Sequence, residues 1–129
     1  MTKLSGEKVL MRIFTGEMKK FGHLPLYEAL VELFRKEGFA GVTVLRGVSG
    51  FGAHRVYHTH KLLDLSADLP MVIEVVETQE KIDAIMPKVD EMIESGLITL
   101  EKVRVVRYTH KHANELIQED ASLIKGVNT

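Results

Sequence analysis

The feature that most constrains the fold is a set of strand-like runs that are apolar on both of their alternating sides. In residues 7–14 one alternating set holds Val9, Met11 and Ile13, and the other holds Leu10 and Phe14. Residues 69–77 repeat the pattern, with Met71, Ile73 and Val75 set against Val72 and Val76. Successive side chains of a strand point to opposite faces, so such strands need cover above and below. The number of helices available to supply that cover therefore decides the architecture.

Two segments carry a helical stripe. In the first, Pro25 suits an opening turn, where its missing N–H is no loss. Leu26, Leu30, Leu33 and Phe34 then recur at spacings of three and four, opposite Glu28, Glu32, Arg35 and Lys36, and Gly38 is placed as the stop. In the second, Thr78 is the cap, Ile82, Ile85, Met86, Val89, Met92 and Ile93 form the stripe, and Gly96 ends it. Pro87 interrupts this pattern. A mid-helix proline loses a hydrogen bond and clashes one turn back, at about 3 kcal/mol, so a kink or break is expected between Asp83 and Pro87.

Residues 39–48 and 98–108 read as the remaining strands, and residues 17–23 as a polar connection. The order is then β-α-β-β-α-β. Two right-handed crossovers around one antiparallel sheet give an α+β, ferredoxin-like sandwich with both helices on one face. The other face is left bare although its residues are apolar, which predicts an oligomer joined through that face. Arg12 and Glu74 interrupt adjacent central strands and are expected to pair there, since an unpaired charge on a buried face costs several kcal/mol.

A chain of 129 residues is the length of one domain, with a core over about 7–109 and a polar tail over 110–129. The tail carries a weak helical stripe of Ala113, Leu116, Ile117, Ala121 and Ile124. A net charge of −1, spread along the chain, argues against a nucleic-acid partner. The absence of cysteine removes disulfides, thiol catalysis and cysteine-based zinc sites, and fits a reducing compartment. No apolar run approaches the ~20 residues that span a bilayer. The expectation is a cytoplasmic protein, not inserted in a membrane.

The most suggestive stretch is residues 41–52, an apolar strand running into Gly47, Gly50, Phe51 and Gly52, followed by a histidine-bearing segment with His54, Tyr57, His58 and His60. The glycines fit either a tight turn or a cradle of backbone N–H groups for an anion. Arg104 and Arg107 offer donor forks for phosphate, but on a regular strand they fall on opposite faces. His58 and His60 would share a side of an extended segment and could start a metal site, with a third ligand from His54, His110, His112 or another chain. No thiol, nucleophile elbow or paired carboxylates point to catalysis, and no catalytic residue is assigned.

Several motifs together resemble PII signal-transduction proteins and, more closely, the PII-like domain-of-unknown-function family 190 of bacteria and archaea. Glu28-Ala29-Leu30 and its helix lead into Gly41-Val42-Thr43-Val44; Gly50-Phe51-Gly52 matches the base of the PII effector loop. Leu69-Pro70 with Ile73-Glu74-Val75-Val76 matches the return strand, and Val103-Arg104-Val105-Val106-Arg107-Tyr108-Thr109 the last strand. The resemblance implies a homotrimer that binds an adenine nucleotide between subunits. Thr43, Gly50, Phe51 and Gly52 would come from one chain, and Arg104 and Arg107 from the last strand. It further implies an effector loop over 53–68, with His54, Tyr57, His58 and His60, that controls a protein target such as a membrane transporter or a metabolic enzyme. The stretch Glu94-Ser95-Gly96-Leu97-Ile98-Thr99 lacks the lysine of the PII phosphate loop, which favours an AMP- or ADP-like ligand over a triphosphate. The alternative is a metal-binding trimer resembling divalent-cation tolerance proteins, using the loop histidines.

Overall fold

The computed structural model describes residues 4–52 and 68–110, together with the backbone of 58–59. Its spine is strand β1 (Gly6–Gly16), which alternates between buried and half-buried residues along most of its length. Two short strands follow, β2 (Lys20–Phe21) and β3 (Leu24–Pro25), then helix α1 (Leu26–Lys36) and strand β4 (Thr43–Arg46). Strands β5 (Ser49–Gly50) and β6 (His58–Thr59), strand β7 (Pro70–Glu77), helix α2 (Gln79–Met92) and strand β8 (Leu97–Val105) complete the described elements.

The main sheet has the order β4-β7-β1-β8, and every pairing in it is antiparallel. This is the ferredoxin-like arrangement expected from the element order. One face is closed by the helices. Val9, Met11, Ile13, Ile73 and Val75 project from the sheet against Leu26, Leu30 and Phe34 of α1 and Ile82, Ile85 and Val89 of α2. Full burial of such side chains contributes roughly 1.5–3 kcal/mol each, so this layer dominates the stability.

The helix ends follow local chemistry. α1 begins one residue later than expected, with Pro25 as the residue before its first turn, and Arg35 and Lys36 lie in its last turn, where cations suit the helix dipole. Gly38 then takes φ +75°, and the Phe39 N–H donates back to the Phe34 carbonyl at 3.0 Å. At α2, Thr78 Oγ1 accepts from the Lys81 N–H at 3.2 Å. Of the kink or break expected between Asp83 and Pro87, the break does not occur, and α2 runs through Pro87 to Met92. Ile82 and Ile85 before the proline and Val89 after it are all buried on the sheet, and that anchoring offsets the lost hydrogen bond. Gly96 has a different task from helix termination. A Cβ there would lie 2.8 Å from the Phe14 carbonyl oxygen, so close passage of the backbone past β1 requires glycine.

Two further departures have clear causes. Residues 17–23, expected as a plain connection, contain β2, which pairs with β3 as a small hairpin (Phe21 opposite Leu24) too short for an alternating pattern to show. β4 and β8 are shorter than the runs 39–48 and 98–108, because apolar character outlasts the sheet pairing at both edges.

Glu77 closes β7 as a buried carboxylate at 2 % exposure. Its Oε2 accepts from the Ala40 N–H at 2.9 Å and its Oε1 from the Thr78 N–H at 3.0 Å, while Lys81 Nζ lies 3.6 Å away. The carboxylate thereby joins the turn after α1 to the start of α2. Replacing Glu77 with Ala leaves two half-buried donors without their acceptor, and a loss of about 1–3 kcal/mol in urea unfolding is expected. Nearby, an ion pair with Lys88 holds the Glu37 carboxyl below its usual value of 4.5. A depressed folded-state value stabilises above the unfolded pKa and is lost as pH falls through the folded one. The stability curves of the native chain and Glu37→Gln should therefore converge in acid and separate near neutrality.

Candidate ligand site

Edge strand β4 delivers the glycine stretch. Beyond Arg46 the chain is pressed against Pro70, the first residue of β7. The Gly47 N–H donates to the Pro70 carbonyl at 2.7 Å, and a Cβ on Gly47 would stand 2.6 Å from the Pro70 ring. Gly50 takes φ +150°, and a Cβ there would lie 3.3 Å from the same ring. Both glycines are thus required by packing and backbone conformation. A Cβ on Gly52 meets nothing within 4 Å, and Phe51 is 61 % exposed beside it. Ser49 pairs with Thr59 and Gly50 with His58, so the segment leaving β4 starts as a narrow hairpin.

The turn after β1 holds both the chain leaving β4 and the chain entering β7. Arg46 pairs with Glu17 at 2.7 Å, the Glu17 N–H donates to the Leu69 carbonyl at 2.8 Å, and the Met18 N–H donates to Asp68 Oδ1 at 2.7 Å. Sequence reasoning missed this clasp. Its partners lie 29 and 50 positions apart (46 − 17 and 68 − 18), and short-range spacing carries no signal at that range.

Thr43 is exposed on the face away from the helices. It stands opposite Glu74, which stands opposite Arg12, which stands opposite Thr99, so one row crosses the sheet. Within it the expected pair is formed, with Arg12 Nε donating to Glu74 Oε2 at 2.7 Å and Glu101 at 3.8 Å from Arg12. The next row on this face is apolar: Leu45, Val72, Phe14 and Leu97. Leu45 and Leu97, at its two ends, are 49 % and 56 % exposed.

Arg104 belongs to the opposite edge, and Arg107 lies two residues beyond the end of β8. Arg104 is exposed, in register with Glu7, and β8 ends at Val105, so the alternation rule that separates the two arginines does not govern Arg107. Between β4 and β8 lie three strand spacings, or roughly 14 Å at ~4.8 Å each. One chain therefore does not bring Thr43 and the glycines together with Arg104. His54, Tyr57 and His60 lie outside the described residues, and of His58 only the backbone is described. Among the described residues no group of three histidine or acidic side chains could hold a metal, and no helix is long and apolar enough to cross a membrane.

The family model DUF190, Uncharacterized ACR, matches residues 8–105. The chain belongs to that family. A UPF0166 protein of Aquifex aeolicus is 38% identical over 100 residues, covering 78% of this chain and 94% of that one. A UPF0166 protein of Methanocaldococcus jannaschii is 31% identical over 99 residues, covering 76% of this chain and 91% of that one. Among solved structures, a putative PII-like signaling protein from Thermus thermophilus superposes with a TM-score of 0.58 at 20% identity, over 79% of this chain and 92% of that one. CPII, a nitrogen regulatory PII-like protein from Thiomonas intermedia bound to ADP, AMP and bicarbonate, superposes with a TM-score of 0.55 at 18% identity, over 82% of this chain and 94% of that one. The PII-like fold expected from the sequence is thereby shown.

The two kinds of glycine separate experimentally. Gly47→Ala drives a methyl into Pro70 and should cost about 1–3 kcal/mol, whereas Gly52→Ala should leave thermal unfolding within about 0.5 kcal/mol of the native chain.

Proposed function

We propose that this DUF190 protein is a non-enzymatic PII-like regulator. In this reading it assembles as a homotrimer, binds an AMP- or ADP-like nucleotide between subunits and controls a protein target through residues 53–68. The observation that carries the reading is the placement of the candidate residues on opposite edges of one sheet. Thr43 and Gly50–Phe51–Gly52 issue from β4, and Arg104 belongs to β8, with Arg107 two residues past its end. Such a division makes sense when subunits stand side by side, the β8 edge of one facing the β4 edge of the next. The apolar row from Leu45 to Leu97 supplies the area for that association, and the Arg12–Glu74 pair beside it fixes the register.

The nucleotide rests on the fold neighbours, one of which is bound to ADP and AMP. The chemistry of the residues agrees. An exposed aromatic ring at Phe51 suits stacking on a base, and guanidinium forks suit a phosphate. The lack of lysine in Glu94–Thr99 favours few phosphates. Regulation follows if the nucleotide binds two states of the 53–68 segment with different affinity.

Calorimetric titration with AMP, ADP and ATP tests the ligand. AMP or ADP should bind without being consumed, and Arg104→Ala or Arg107→Ala should weaken binding by about tenfold to a hundredfold. Turnover of any of the three nucleotides would sink the non-enzymatic reading, and no binding by any of them would sink the ligand. For the assembly, a Leu45→Glu/Leu97→Glu variant should sediment as a monomer where the native chain sediments as a trimer, and Glu74→Gln should lower trimer stability.

A further inference from the structure

The small β2–β3 hairpin and the outer side of α1 enclose an apolar groove of about 520 Å³. Phe21 and Leu24 form one wall, Ala29 and Leu33 of α1 the floor, and Met92 at the end of α2 the far side. Phe21 and Leu24 are 47 % and 45 % exposed, so two large apolar side chains of the hairpin stand open to solvent. The rim is mainly basic. Lys36, Arg35 and Glu32 line it, with Arg35 3.4 Å from Glu32.

We propose that residues 113–124 of the same chain occupy this groove as an amphipathic helix. The direction of the chain is the first argument. The Tyr108 hydroxyl reaches the Ala40 carbonyl at 3.5 Å, so by residue 108 the backbone has left the β8 edge for the turn that follows α1. Lys36, on the groove rim, is only four positions before Ala40 (40 − 36). The chain beyond residue 108 thus sets out beside the last turn of the helix that floors the groove.

Pattern and charge supply the second argument. Ala113, Leu116, Ile117, Ala121 and Ile124 recur at helical spacing and match the apolar walls. Residues 113–124 also include Glu115, Glu119 and Asp120 and no cationic residue, complementing Arg35 and Lys36. Twelve residues in a helix span about 18 Å, close to the ~16 Å of α1 against which they would lie. Finally, the family model ends at residue 105, and about a hundred matched residues account for 94% and 91% of the two UPF0166 relatives. The groove is then covered by a segment additional to the shared fold.

The chain has no cysteine, so single thiols report cleanly. Leu24→Cys in the full chain is reacted with N-ethylmaleimide under native conditions, and compared with the same variant also carrying Leu116→Asp and Ile117→Asp. Docking predicts a labelling rate at least about fivefold higher once the stripe is broken, because local opening no longer limits access. Equal rates overturn the proposal. Phe21→Cys, at the facing position, repeats the comparison should Leu24→Cys fold poorly. Oxidation of a Leu33→Cys/Ile117→Cys chain then identifies the occupant. A disulfide within one chain agrees with the proposal, and a disulfide joining two chains overturns it.

Discussion

The structure depends on β1 being hydrogen-bonded along both sides. β7 covers it from Val9 to Gly16 and β8 from Gly6 to Phe14, so almost no part of its backbone is left to find other partners. A central strand satisfied in this way can be apolar on both faces without exposing polar backbone. Its odd-numbered side chains meet the helices. Its even-numbered ones, Leu10, Arg12 and Phe14, form the middle of the open face. The core and the candidate interface are therefore two sides of one strand, and a register slip of one residue would exchange them.

Much of this was legible in the sequence because it rests on short-range pattern. Leu26, Leu30 and Phe34 announced α1, Ile82, Ile85 and Val89 announced α2, and Gly38 marked a helix end with its positive φ. The Arg12–Glu74 pair was also foreseeable, since β1 and β7 are neighbours in this topology and each charge stood alone in an apolar run. What escaped was tertiary. The Glu17–Arg46 and Met18–Asp68 contacts join segments far apart in the chain. The glycine at position 96 is dictated by a carbonyl of β1 and not by a helix end. Pro87 was weighed as a local penalty, whereas burial on either side of it settled the matter.

The glycine stretch was legible as a constrained turn, and less so in its reason. The glycine stretch does mark the base of a hairpin, but Gly47 and Gly50 answer to the ring of Pro70, which leaves Gly52 and Phe51 as the open surface. Thr43 came to attention through a family likeness, and its place beside Glu74 in a row of polar side chains could not be deduced from spacing. On a regular strand the two arginines would face opposite ways, but β8 ends before Arg107, so strand alternation does not set its direction.

The stacking of two glycines around Pro70 has a mechanical consequence. Proline fixes its own φ, and the ring sits against backbone with no intervening side chain to yield. Together with the Glu17–Arg46 and Met18–Asp68 contacts, it makes a stiff collar where the segment between residues 53 and 67 joins the sheet. A rearrangement beyond the collar cannot travel into β4 and β7 by small, graded shifts. It must either stop there or displace the collar as a whole, so a signal crossing it would be stepwise.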